Sequence, residues 1–160
     1  MTRYHLTRKD REITDEKEIR EILSSGRLIT VALCRGNDPY LVTMNYGYDG
    51  ERNALYFHCA LQGQKLDFIR ENPRVCATLI VDRGYVEGKC EHKYRSLIIR
   101  GRMSVEKDLA GKKNGLKILL EHQEKDPRPV WERNLAEDEG YDIVEVLRID
   151  IEEISGKQSL

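Results

Sequence analysis

Apolar positions in this chain follow two different periods. Over residues 15–26 they recur at helical spacing: Asp15 offers an N-cap with Glu18 three residues on, Ile19, Ile22 and Leu23 share a face, and Gly26 ends the run. That predicts an amphipathic helix with one stripe laid on a sheet. From residue 28 the pattern becomes LITVALC, a continuous apolar run that reads as a fully buried strand, and Arg35-Gly36-Asn37-Asp38-Pro39 supplies dense turn chemistry. YLVTMNYGY and ALYFHC, separated by a turn at Asp49-Gly50, then predict a hairpin.

A second helix is expected over 65–71, stopped by Asn72-Pro73, and VCATLIV at 75–81 is another strand. The polar stretch Asp82 to Lys93 is predicted to loop into YRSLIIRGRMSV, a long strand whose Gly101 marks a bulge or a close backbone approach. Leu116, Leu119, Leu120 and Gln123 at i, i+3, i+4 and i+7 predict a helix within 106–125. Gly111 and Gly115 each cost that helix about 1 kcal/mol relative to alanine. Pro127 and Pro129 end it, and YDIVEVLRIDIEEI is the last strand. About six strands, several joined as meanders, call for antiparallel pairing, and closure into a barrel would remove exposed edges. One α+β domain over 1–160 is expected, mainly antiparallel barrel with flanking helices.

Composition changes the functional picture more than the fold. The 160 residues carry 27 basic and 28 acidic side chains, a net charge of −1, which leaves no surplus for a phosphate backbone and argues against nucleic-acid binding. No stretch approaches the roughly 20 apolar residues that span a bilayer. Met1-Thr2-Arg3-Tyr4-His5 leads into charged sequence, so no membrane association and a cytoplasmic setting are expected. Cys34, Cys59, Cys76 and Cys90 contain no C-x-x-C pair and read as small apolar residues. The tightest metal-like cluster, Cys90-Glu91-His92, fits no usual zinc spacing, and no metal site is expected.

Chemistry concentrates in LYFHCALQGQKLDFIRENPRV, residues 55–75, which begins as a strand and ends as a helix. Gln62-Gly63-Gln64-Lys65 falls at the helix N-terminus, where free N–H groups, the macrodipole and the Lys65 charge favour one phosphate. The plain alternative is that Gly63 starts a helix and Lys65 is a solvated surface residue. His58 shares a strand face with Tyr56, either as a half-buried histidine or as a donor or proton-handling group beside a bound ring. Asn45 and Tyr46, at the end of the preceding strand, would bring amide and phenol to the same mouth. Trp131, the only tryptophan, either caps that pocket or fills the core, and the core is the preferred reading.

Four pieces in order, K-D-R-E-I-T-D, P-Y-L-V-T-M-N-Y-G-Y-D, L-Y-F-H-C-A-L-Q-G-Q-K and C-E-H-K-Y-R-S-L-I-I-R-G-R, resemble the nitroimidazole-resistance (Nim-like) branch of the pyridoxamine 5'-phosphate oxidase-related flavoproteins. The resemblance implies an FMN-binding split β-barrel working as a homodimer with flavin at the interface. The F-H-x-A-x-x-G-x-K segment falls on Phe57, His58, Ala60, Gly63 and Lys65, so Lys65 would meet the FMN phosphate and His58 would lie near the cofactor as the catalytic candidate. P-Y-x-x-P-x-N-Y falls on Pro39, Tyr40, Thr43, Asn45 and Tyr46, with Met44 between, and its backbone would run along the isoalloxazine. Thr43 replaces the second proline, restoring an N–H and adding a hydroxyl. Y-x-S falls on Tyr94 and Ser96, and Ser96 would offer its hydroxyl to the phosphate.

The implied activity is an FMN-dependent oxidoreductase passing electrons from NAD(P)H to a small aromatic acceptor such as a nitro compound. With no G-x-G-x-x-G, the nicotinamide would bind only transiently over the flavin. The alternative is a non-catalytic flavin- or haem-binding protein, with His58 or His92 as an iron ligand. Pyridoxamine 5'-phosphate oxidation itself is disfavoured, because only Arg95, Arg100 and Arg102 are obvious donors for its phosphate.

Overall fold

Asp15 starts the first helix as its spacing predicts. In the computed structural model, which describes residues 6–160, its carboxylate accepts the Lys17 N–H at 2.8 Å and α1 runs over Glu16–Ser25. The Gly26 N–H closes the last turn onto the Ile22 carbonyl. Ile22 and Leu23 are buried, while Glu18 and Glu21 reach Arg95 at 3.6 and 3.7 Å and pin the helix to the sheet. Arg95 is therefore committed to two carboxylates as a structural clamp, with its buried Nε left without a hydrogen-bond partner. Met1 to His5, which open the charged lead-in, lie outside the described residues.

Eight strands form one sheet: β1 (Glu12–Ile13), β2 (Leu28–Arg35), β3 (Asp38–Asn45), β4 (Gly47–Asp49), β5 (Ala54–Cys59), β6 (Arg74–Val86), β7 (Glu91–Val105) and β8 (Glu145–Ser159). Every pairing is antiparallel, in the order β3-β2-β6-β7-β8-β5-β4, with β1 added on β8. The two strands beyond the expected six are the short β1 and β4.

The expected strand YLVTMNYGY splits at Tyr46. Its first part pairs with β2, Thr43 opposite Thr30, and its last part pairs with β5, Tyr48 opposite Leu55. Thus β3 and β4 stand at opposite ends of the strand order yet are joined by one residue, which can span only about 7 Å. The sheet must curl until its two ends are neighbours without hydrogen-bonding, and the result is a split barrel. Tyr46 sits at the join because its fully buried phenol donates to the Leu23 carbonyl at 2.6 Å.

LITVALC is buried on one face only. Ile29, Val31 and Leu33 enter the core; Leu28, Thr30, Ala32 and Cys34 point outward. The segment 82–93 is no loop either: β6 and β7 continue through it as a hairpin, past a bulge between Asp82 and Tyr85. His92 bonds Asp82 at 2.7 Å, which gives these polar residues a local reason to stay paired. At Gly101 both predictions hold. The register shifts there, and a Cβ would stand 2.1 Å from the Asp150 carbonyl oxygen.

Three more helices cover the barrel: α2 (Gln64–Glu71), α3 (Leu109–Gln123) and α4 (Arg128–Asn134). The third of these was missed in the sequence because Pro127 and Pro129 read as terminators, whereas Pro129 stands in the first turn, where its missing N–H costs nothing. The main core fills the barrel with residues such as Phe57, Phe68 and Leu97. A second cluster lies under α3, built on Tyr56, Leu116, Leu119, Tyr141 and Val146, and Trp131 packs against it, as the core reading expects. Tyr141 belongs to this cluster, so β8 starts only at Glu145 and runs on to Ser159.

Candidate functional site

Alternation along β5 sends Leu55, Phe57 and Cys59 into the barrel and turns Tyr56 and His58 toward α3. Tyr56 is sealed beneath that helix, because Gly115 has no Cβ to hold it off. His58, two residues on, passes the edge of the contact and opens into a cavity of about 620 Å³. Leu116, Leu119 and Leu120 of α3, Val130 of α4 and Ile143 of the following loop form its aliphatic wall. Its polar groups are Asn45, His58, Gln123, Glu124, Arg133 and Asn134.

Asn45 arrives from β3 by a different route. Its amide donates to the Arg27 carbonyl and to Gln123 Oε1, both at 3.3 Å. Gln123 returns the contact through Nε2, which donates to the Arg27 carbonyl at 3.0 Å and the Tyr46 carbonyl at 2.7 Å. The Arg27 guanidinium closes the circuit by donating to the His122 and Gln123 carbonyls at 2.7 and 2.6 Å, placing a cation on the C-terminal end of α3. His122 Nε2 donates to the Gly26 carbonyl at 2.6 Å, and its Nδ1 accepts the Tyr48 N–H at 3.4 Å, so the ring is neutral. One corner of the cavity is thereby fixed through side-chain amides.

His58 is exposed where it opens into the cavity, and its partial burial there moves the imidazole below its ordinary pKa, so at neutral pH it is uncharged and offers one donor and one acceptor. The Cys59 thiol, on the opposite face, is pushed up by burial, with the nearby Lys65 ammonium opposing. Lys65 stands in the first turn of α2, six residues beyond Cys59 at the end of β5. Lys65 is half-buried and has no ion-pair partner among the described residues. Gly63 has φ +150° and ψ 161°, a conformation essentially reserved for glycine, and it leads directly into the first turn of α2, where the Leu66 and Asp67 amides reach the Gly63 carbonyl at 2.9 and 3.4 Å and the Gln64 and Lys65 amides precede the first intrahelical bond. Glycine, lysine and bare amides together fit a phosphate.

The remaining candidates divide between the two sides of the sheet. Thr43 and Asn45 of β3 and Tyr94 and Ser96 of β7 lie on the outer face, with β2 and β6 between the two pairs. The Thr43 hydroxyl meets that of Thr30 at 2.9 Å, which accounts for the hydroxyl where the resembling family has proline. Ser96 Oγ donates to the Lys157 carbonyl at 3.5 Å. The rings of Tyr46 and Phe57 are wholly buried and Met44 packs against the core, so Tyr46 brings no phenol to the mouth. His92 faces Asp82 in the β6–β7 hairpin and does not line this cavity. Among the described residues no three metal-ligating side chains converge. Gln123 and Arg133 were missed: Gln123 hid inside a helical core stripe, and Arg133 follows two prolines that concealed its helix.

Residues 15–158 match the family described as pyridoxamine 5'-phosphate oxidase. The chain belongs to this family. A protein of Rhizobium meliloti is 29% identical over 90 residues, which make up 56% of this chain and 54% of that protein. The match thus spans about half the length of that relative.

Among solved structures, a proposed 5-nitroimidazole antibiotic resistance protein from Bacteroides thetaiotaomicron superposes with a TM-score of 0.78 at 26% identity, covering 91% of this chain and 85% of that one. The flavocytochrome Anf3 of Azotobacter vinelandii gives 0.81 at 20% identity, over 98% of this chain and 73% of its own. An FAD-binding protein of Mesorhizobium loti gives 0.67 at 24%, over 94% and 98%. These last two likenesses show the fold alone. No helix among the described residues is long and apolar enough to cross a membrane.

Proposed function

We propose that the protein is an FMN-dependent oxidoreductase that passes electrons from a reduced nicotinamide to a small aromatic acceptor, a nitro compound being the type case. The observation that carries the reading is the meeting of Asn45 and His58 on one apolar cavity, with the Gly63–Lys65 turn at the end of the same strand as His58. Flavin, when bound, supplies the hydride and electron chemistry; the chain's work is to hold the phosphate, orient the ring and keep water away. The Lys65 ammonium and the Gln64 and Lys65 amides at the start of α2 hold the phosphate. Asn45, fixed by Gln123 and Arg27, and His58, neutral and unpaired, supply hydrogen bonds at the cavity. The aliphatic wall accepts the acceptor's ring.

The same reading includes a homodimer with the flavin between subunits. Its support is the outer sheet face, where Leu28, Leu41, Ile80 and Ile98 are exposed among Thr30, Thr43 and Thr78, a broad apolar surface with few charges.

The absorbance spectrum of freshly purified protein, followed by anaerobic NADH or NADPH, tests the central point. Flavin bands that bleach support it, and a colourless protein that takes up no FMN rejects it. Lys65→Ala should weaken FMN binding by at least tenfold, the scale of a lost charge-assisted contact of about 1.5–3 kcal/mol; unchanged affinity would remove Lys65 from the phosphate site.

A second reading is a flavin- or haem-binding protein without turnover. It is favoured by one feature, a neutral imidazole opening into a largely aliphatic cavity of about 620 Å³. A Soret band that forms with hemin and shifts in His58→Ala would select it.

A further inference from the structure

Several of the described arginines are committed to carboxylates or carbonyls. Arg95 holds Glu18 and Glu21, Arg128 holds Asp126, Arg148 lies between Glu106 and Asp150, and Arg27 caps α3. Arg133 differs. It stands in the last turn of α4, lines the cavity that His58 and Asn45 share, and has no ion-pair partner among the described residues. It is also the only cation in that lining. Around it the cavity offers aliphatic walls suited to a flat ring, neutral amides, and the His58 imidazole, neutral at pH 7.

We propose that Arg133 anchors the carboxylate of an aromatic acceptor in the cavity between α3 and α4, making the protein selective for aromatic acids over neutral rings of the same shape. The guanidinium presents two parallel N–H donors that match a carboxylate, and the apolar wall strengthens the pairing by excluding water from one side of it. Glu124 is the single carboxylate of the lining and acts against the anchor, so Arg133 must outweigh it. The inference deepens the acceptor half of the oxidoreductase reading and rests on it for turnover, but binding is separable from redox.

The test titrates 4-nitrobenzoate and its neutral isostere 4-nitrobenzamide onto the full chain by calorimetry, with and without FMN, with Trp131 fluorescence as a second readout. The acid should bind about tenfold tighter than the amide, the order expected for a partly solvated charge-assisted pair. Arg133→Gln should abolish that preference and Arg133→Lys should retain part of it. Glu124→Gln should tighten the acid about threefold and leave the amide unchanged. In turnover, Arg133→Gln should raise KM for the acid with kcat unchanged. Equal affinity for the two probes, no binding of either, or a preference that survives Arg133→Gln overturns the anchor. If the protein takes up no flavin but still prefers the acid, the redox reading fails and the anchor stands; if it is reduced through FMN but shows no preference, the anchor alone fails.

Discussion

Asn45 and His58 line one cavity although β2, β6, β7 and β8 lie between their strands in the order of the sheet. Only the curl that returns the β3 end of the sheet beside β4 and β5 brings them together, where burial lowers the His58 pKa and Gln123 fixes Asn45. With FMN bound, His58→Ala should slow acceptor reduction by at least about tenfold if the imidazole donates or moves a proton, since such groups contribute about 10²–10⁴-fold. The wild-type rate should also show an inflection below about pH 6.5, the ordinary histidine value, that the variant lacks. Stopped-flow reduction across pH checks both, and equal rates would make His58 structural.

His122 makes a stability prediction of known sign. Burial lowers its pKa despite the bond to the Gly26 carbonyl. Below about pH 6.5 the unfolded chain therefore binds more protons than the folded one. The stabilisation from the neutral ring is complete above that value and is lost as pH falls toward the depressed folded pKa. Urea midpoints should decline from pH 7 to pH 5, and His122→Gln, though less stable at pH 7, should show a shallower decline.

Two glycines should resist alanine for reasons of space. A Cβ on Gly115 would meet Val146 Cγ1 at 2.6 Å and Tyr56 Cδ1 at 2.8 Å, both fully buried. Gly115→Ala gains about 1 kcal/mol of helix propensity yet should lose about 1–3 kcal/mol to overpacking, a net fall in Tm. Gly101→Ala should be worse, because the obstacle is the Asp150 backbone carbonyl and cannot rotate away. Thermal unfolding of both variants settles the order.

The outer face predicts an assembly. Ile98→Glu puts a charge at the end of the row that runs Thr43, Thr30, Thr78, Ile98 across four strands. Sedimentation should show a dimer become a monomer with the fold intact, and FMN affinity should fall with it if the flavin lies between subunits. A wild-type monomer that binds FMN fully would sink the dimer proposal.

Several features needed nothing but sequence. Asp15 and Gly26 bound α1 through local backbone hydrogen bonds, and Gly101 marked a real close approach. Gly63 and Lys65 flagged a helix start with a glycine-only conformation and a cation without an ion-pair partner among the described residues. These signals are short-range, so adjacent residues carry them in full. Which face of LITVALC meets water was not legible, because an apolar run looks the same whether its outer side meets solvent or another layer. The break at Tyr46 was not legible either, since it depends on a carbonyl 23 residues away. The cavity is the clearest case: Asn45, His58, Gln123 and Arg133 come from two strands and two helices. Residue types and local turns follow from the sequence, whereas their meeting follows from the curl of the sheet and the packing of α3 and α4, which are long-range contacts that no window of adjacent residues contains.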